Sequence, residues 1–305
     1  MLKALILAMR PAQWVKNFFV FAPLIFSQQL FETSSALRAV CAFFLFSFLS
    51  GSIYMLNDLE DVEKDRLHPH KKHRPIASGA LPISVARLAW PILSVGVLLL
   101  GFWLSPWFAL IALIYALFNV AYSFKLKHIA YLDVLIIANG FLLRLLAGAA
   151  AIQVEVSRWL VSCGFLFALY LALGKRRHEL STHGEQAGKQ RAVLKHYNVE
   201  QLDLLLGVVA SLTVLAYCGY TLDSSTLKRF QTPYLIYTIP FIVFGITRFL
   251  QLIERGARTE SPTQELLRDL PSILNGIFWV IVVVLILYTG LGQNSLLLKT
   301  LTTGR

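Results

Sequence analysis

The chain has 305 residues, of which 56% are hydrophobic and only 15% charged, with a formal net charge of +11. A soluble globular domain carries more charge and fewer apolar residues, so this composition places the chain among membrane proteins. Cys41, Cys163 and Cys218 lie far apart inside apolar stretches; that excludes a disulfide framework and leaves packing as their role.

In chain order, residues 1–17 read as an amphipathic helix lying at the membrane interface, with Trp14 at headgroup depth and Lys3, Arg10 and Lys16 toward phosphates. The apolar run 4–9 is too short for a signal peptide and leads into Arg10-Pro11 rather than a small-residue cleavage site. Apolar stretches then recur near 18–36, 37–56, 84–104, 106–124, 130–151, 157–174, 203–222, 233–252 and 272–292, each near the ~20 residues that a crossing needs. The first contains Pro23 and ends in Gln28-Gln29. The fold expected is an all-α integral membrane bundle of about nine transmembrane helices, one domain over 1–305, with a central cavity facing the cytoplasm.

Lysine and arginine set the orientation. Only Arg38, Arg158, Lys228, Arg229, Lys299 and Arg305 fall on one side, Arg144 lies inside a helix, and all the others share the side of loops 57–83 and 175–202. By the positive-inside rule that side is cytoplasmic. The positive charge is therefore one-sided, as membrane insertion requires, and calls for no nucleic-acid partner.

Loop 57–83 is the most polar stretch. If it continues the preceding helix at about 100° per residue, Asn57, Asp58, Asp61 and Asp65 share one face, and Glu60 and Glu63 fall on the other. Crowded carboxylates repel one another unless a cation sits among them, and hard oxygen donors suit Mg²⁺ completed by substrate phosphates. The plain alternative is a solvated acidic helix end balanced by Lys64 and Arg66. A basic run follows through Lys71, Lys72 and Arg74 to Ser78-Gly79.

Further along, Lys125 and Lys127 follow Tyr122-Ser123-Phe124, where snorkelling to headgroups explains either lysine as well as substrate does. Arg144 is an ionisable group in an apolar run, and Asp133 lies roughly 20° off its helical face and ~16 Å away along the axis. They read as lining a polar cavity, unless Arg144 is bonded to carbonyls of a neighbouring helix. Lys175, Arg176 and Arg177 open the second loop, and at least one should face the bundle, where a guanidinium suits phosphate oxygens. His68 and His70 read as polar surface. An acidic metal face, phosphate-seeking cations and apolar helices together fit a reaction between a diphosphate and a lipid.

The spacing Asn57-Asp58-x-x-Asp61-x-x-x-Asp65 resembles the first aspartate-rich motif of the UbiA-type intramembrane prenyltransferases, whose nine-helix, cytoplasm-open bundle matches the expected count. Four further stretches are similar to the family's decaprenyl-phosphate phosphoribosyltransferase branch: Arg10-Pro11-x-Gln13-Trp14-Val15-Lys16-Asn17; Asp65-Arg66-x-His68-Pro69-x-Lys71-x-x-Arg74-Pro75-Ile76-Ala77-Ser78-Gly79; Gly174-Lys175-Arg176-x-x-Glu179-Leu180; and Ser261-Pro262-Thr263-x-Glu265-Leu266-Leu267-x-Asp269. The resemblance implies Mg²⁺ on Asn57, Asp58, Asp61 and Asp65, with Asp58, Asp61, Asp65 and Lys175 catalytic. It implies substrate contacts from Lys16, Asn57, Lys71, Arg74, Tyr122, Lys127, Asp133, Arg144, Arg176 and Glu179. The substrates implied are 5-phosphoribosyl 1-diphosphate and a polyprenyl phosphate, in a bacterial plasma membrane. Where ordinary members carry a second aspartate-rich motif, this chain has Lys175, Arg176, Arg177 and Glu179, as direct phosphate binding would need. A prenyl diphosphate donor with an aromatic acceptor is the rival within the family. A transporter of lipid intermediates is the rival outside it, hinted at only by Pro23, Pro240 and Gly245.

Overall fold

The computed structural model describes residues 1–183, 192–254 and 265–291. Among them, eight helices are long and apolar enough to cross a membrane. They are α3 (Thr33–Glu60), α5 (Ile83–Leu104), α6 (Pro106–Phe124), α7 (Leu132–Ile152), α8 (Arg158–His183), α9 (Val199–Leu222), α11 (Ile239–Glu254, preceded by a 3-10 turn at Tyr234–Thr238) and α12 (Leu270–Tyr288). Short helices α1 (Leu2–Ala8), α2 (Ala22–Phe26), α4 (Val62–Leu67) and α10 (Ser224–Phe230) complete the set. The chain is a multi-pass, all-helical membrane protein. Lipid-facing sides are explicit on α5, where Leu88, Ile92, Val95 and Leu99 recur at helical spacing with each at least 54% exposed, an apolar stripe that water would not tolerate.

The stretch expected as the first crossing, 18–36, is not among these eight. Pro11–Phe21 winds as a 3-10 helix, α2 is five residues long, and Gln28 turns left-handed (φ 61°) before α3 begins. The reason is lateral packing. Asn17 is fully buried and donates to Ser47 Oγ of α3 at 2.9 Å, which ties the segment along the bundle. The opposite departure occurs at α8, which runs to His183, so Lys175, Arg176, Arg177 and Glu179 stand on a helix rather than in a loop. Residues 189, 191, 255, 258, 299 and 305 of the charge pattern, and 261–264 of the last motif, lie outside the described residues.

Two compact units emerge: Met1–Lys127 with Asn139–Val156, and His128–Ala138 with the described residues from Ser157 on. In the first, Phe46, Leu49 and Ile53 of α3 pack with Phe108, Ala112 and Tyr115 of α6 and Ala147 and Ala151 of α7. Buried Ser47, Ser50, Gly51 and Ser52 keep α3 slender, as close helix approach in lipid requires. Arg38 clamps two helix ends, donating to the carbonyls of Leu104 (2.7 Å) and Ala151 (2.9 Å). Gly148 of α7 lies directly under the 3-10 segment, where an added Cβ would sit 2.0 Å from the Val20 carbonyl oxygen. Because that obstacle is backbone, Gly148→Ala is expected to lower stability by about 1–3 kcal/mol, read as a drop in thermal unfolding temperature in detergent.

In the second unit, Tyr170, Leu173, Leu202, Leu206 and Phe249 form the core of α8, α9 and α11. The Tyr170 hydroxyl donates to the Ile246 carbonyl at 2.8 Å, so a buried polar group is satisfied across helices.

Candidate active site

The first unit places the aspartate-rich motif on two helices rather than one. α3 ends at Glu60 and Asp61 leaves helical geometry (φ −98°, ψ 8°) before α4 starts. Backbone bonds from Asp61 N to Asn57 O (3.0 Å) and from Asp65 N to Asp61 O (2.8 Å) carry the turn across the break, so the shared face largely survives. Asp58 and Asp65 are 2% and 4% exposed, whereas Glu60 and Glu63 face outward, as the helical phase predicts.

Each carboxylate of this face already has a cation. Arg74 Nη1 reaches Asp58 Oδ1 at 3.1 Å and Asp65 Oδ2 at 2.6 Å, and Arg10 Nη2 also donates to Asp58 Oδ1. Lys127 Nζ lies 3.5 Å from Asp61 Oδ1. Asn57 accepts a hydrogen bond from the Ser123 hydroxyl, beside half-buried Tyr122 on α6. The turn carrying Arg74 is anchored by Ile76 and Leu81, both fully buried against Ala8, Met9 and Met55. It closes at Gly79, whose φ of 81° favours glycine. Lys71 is half-buried at its start, its carbonyl accepting from Arg74 N at 2.9 Å.

Arg10 and Asn17 are the residues that sequence reasoning left outside the site. The sequence points Arg10 toward headgroups, yet it turns inward to Asp58 and lies 5.0 Å from the Tyr54 ring centroid. Asn17 accepts from Arg144 Nε at 2.7 Å. Arg144 spends its other nitrogens on the Gly140 carbonyl (2.7 Å) and the Tyr115 hydroxyl (2.8 Å). Its guanidinium lies over the rings of Tyr115, Phe46 and Phe141. Neither reading of Arg144 describes this arrangement fully: the carbonyl it bonds belongs to its own helix, and its other partners are the side chains of Asn17 and Tyr115. The half-buried amine of Lys16 is lowered to about 8, by burial first and then by Arg144 and Arg10. An anion beside Lys16 favours its protonated form, so anion binding should weaken as pH rises through 8 and the free amine loses its proton. Lys16→Arg, which stays charged, is expected to flatten that pH dependence, as the affinity for inorganic pyrophosphate measured from pH 7 to 9.5 would check.

In the second unit, Asp133 and Arg176 are both fully buried and paired, with Nε to Oδ2 at 2.7 Å. The Tyr197 hydroxyl donates to Asp133 Oδ1 and accepts from Tyr131 N at 2.7 Å. That environment, burial first and then Asp133, pushes the Tyr197 phenol well above its ordinary value. Tyr131 is held at φ 64° by this contact. Arg176 Nη1 bonds Glu179 at 2.6 Å, Lys175 Nζ stands 3.9 Å from the same carboxylate, and Arg177 forks onto Asp203 at 2.6 and 3.2 Å. Lys175 keeps 35% of its side chain exposed.

These features meet a clear family relationship. The model of the UbiA prenyltransferase family matches residues 18–264. The chain belongs to the UbiA prenyltransferase family. It is therefore a transferase. It is 33% identical over 280 residues to a decaprenyl-phosphate phosphoribosyltransferase of Mycolicibacterium smegmatis, covering 88% of this chain and 87% of that one. A protein of the same name from Corynebacterium glutamicum is 32% identical over 292 residues, covering 93% and 86%. A UbiA homolog from Archaeoglobus fulgidus, solved bound to DMAPP and Mg2+, superposes with a TM-score of 0.67 at 18% identity, covering 92% of this chain and 97% of that one; it shares the fold.

The donor chemistry of the UbiA aspartates in this chain suits a hard divalent cation. Asp58 Oδ2 is sealed from solvent and has no hydrogen-bond partner among the described residues, an open acceptor in a place where one is costly to leave. Among the described residues no group of three or more His, Cys, Asp or Glu is gathered closely enough to hold a metal alone. Asp58 and Asp65, either side of one guanidinium nitrogen, thus fit an ion that takes its remaining ligands from phosphate and water.

Proposed function

We propose that this UbiA-family transferase moves 5-phosphoribose from 5-phosphoribosyl 1-diphosphate onto a polyprenyl phosphate, releasing diphosphate, with Mg²⁺ as the cofactor. The phosphoribosyltransferase relatives, which align along most of the chain, support the substrate class. The observation that favours this donor over a prenyl diphosphate is the end of α8. There Glu179 is already bound by Arg176, so the described part of this helix end presents no second carboxylate set, and Lys175, 35% exposed, is the cation beside it that a phosphate could reach.

Bound at Asp58 and Asp65, with Asn57 and Asp61 alongside, Mg²⁺ would neutralise charge developing on the departing diphosphate. The chain's own residues do the rest. Arg10, Arg74, Lys71 and Lys127 supply donors for the diphosphate oxygens. Lys16 and Lys175 are assigned to phosphate. Arg144 holds Asn17 in place in the first unit, and Arg176 holds Asp133 and Glu179 in place in the second. Loss of diphosphate leaves an oxocarbenium-like C1, and the lipid phosphate attacks from the opposite face with inversion. That phosphate is already anionic, so placement outweighs proton transfer. The basic side of the chain supports a site at the cytoplasmic face, and the membrane in this reading is the bacterial plasma membrane.

The test is incubation of purified protein with Mg²⁺, radiolabelled phosphoribosyl diphosphate and a polyprenyl phosphate, following label into the organic phase. Chelation should abolish transfer. Label left in the aqueous phase, with a prenyl diphosphate consumed against an aromatic acid instead, would overturn the reading.

A further inference from the structure

Asp58 uses its two buried oxygens unequally. Oδ1 accepts from both Arg10 and Arg74, while Oδ2 has no partner. Arg74 Nη1 also holds Asp65, so a single guanidinium nitrogen lies between the two carboxylates, where a bridging cation would be drawn. The charges balance: two carboxylates face two guanidinia. Arg10 takes this position from a left-handed backbone (φ 52°, ψ 66°) immediately before Pro11, a costly conformation for a non-glycine residue. The chain therefore holds Arg10 toward Asp58 at the expense of local backbone preference.

We propose that Arg10 and Arg74 are diphosphate-binding arms stored on the metal carboxylates, so that divalent ion and diphosphate bind together and the ion alone binds poorly. This rests on the reading of Asp58 and Asp65 as metal ligands. A divalent ion entering a cluster that is already neutral would leave uncompensated positive charge in a buried site, which is strongly disfavoured. Arriving with diphosphate, the ion brings its own counter-charge. The two guanidinia then leave Asp58 Oδ1 and Asp65 Oδ2 and fork onto phosphate oxygens, the acceptors their geometry fits best. Arg10 thereby becomes a specificity residue of the donor site, and the coupling is reciprocal, since each ligand raises the affinity for the other.

The experiment measures Mn²⁺ binding to the purified full chain by equilibrium dialysis, once with the ion alone and once as its inorganic pyrophosphate complex. The wild type should bind the complex much more tightly than the ion. Arg10→Gln and Arg74→Gln should each gain about tenfold for the ion alone and lose about tenfold for the complex. Arginines that were only static salt bridges would give the gain without the loss, and that result would overturn the proposal. Arg10→Lys and Arg74→Lys, which keep the charge, should fall between and serve if a glutamine variant fails to elute as the native detergent peak. A wild type that binds neither form would remove the metal reading itself. If the complex binds in an Asp58-dependent manner but the arginine variants match the wild type, the stored arms alone are refuted.

Discussion

Asp58→Asn is expected to lower the proposed phosphoribosyl transfer by about a hundred- to a thousandfold while leaving the protein folded. The amide is isosteric, so the packing of α3 against α6 is untouched. What changes is the charge balance: Arg10 loses its carboxylate partner, Arg74 keeps Asp65, and the sealed Oδ2 position presents either a weaker donor or an N–H to the incoming ion. Transition-state charge on the departing diphosphate would then lack its principal counter-ion. Asp61→Asn should cost less but remain measurable, because Asp61 is a third exposed and already drawn toward Lys127. Glu63→Gln is the internal control, since Glu63 pairs with Arg66 at the exposed surface, where such pairs contribute little. Initial rates of label transfer at saturating Mg²⁺, with unfolding temperatures measured in parallel, check all three. An Asp58→Asn enzyme within tenfold of wild type would remove Asp58 from the reaction.

Much of this was legible before any coordinate. Twenty-residue apolar runs report spanning helices directly, because lipid leaves the backbone no other way to satisfy itself. The phase of Asp58, Asp61 and Asp65 against Glu60 and Glu63 followed from helical geometry and survives the break at Asp61. What stayed hidden depends on partners remote in sequence. Asn17 meets Arg144 across 127 positions and Arg10 meets Asp58 across 48, separations at which no periodicity carries information. Arg10 looked like a headgroup ligand because a basic residue beside Trp14 usually is one, and only its left-handed backbone redirects it. Residues 18–36 were apolar enough for a crossing, yet hydropathy cannot distinguish a segment that spans lipid from one laid along a bundle and pinned by Asn17. A signal did exist, in Pro23 and Gln28-Gln29, but prolines are common in membrane helices and carry little weight alone.

The same reasoning separates two adjacent cations that sequence treats alike. Arg176 has no exposed side-chain surface and is shared between Asp133 and Glu179, whereas Lys175 is 35% exposed, with its amine 3.9 Å from Glu179. Removing one partner of a buried ion pair leaves an uncompensated charge, so Arg176→Met is expected to cost about 3–5 kcal/mol, visible as a large fall in unfolding temperature and detergent-extracted yield. The acids are then the liability, and adding Asp133→Leu should recover part of the loss, since an apolar pair of similar volume avoids the desolvation that the ions incur. Lys175→Ala should do the reverse. Its stability should change by less than about 0.5 kcal/mol, while its KM for one phosphate-bearing substrate rises with little loss of folded protein. If instead Arg176→Met folded normally and raised KM, the guanidinium would be a phosphate ligand, as its place in the basic cluster first implies, and Asp133 would be its tether rather than its reason for being buried.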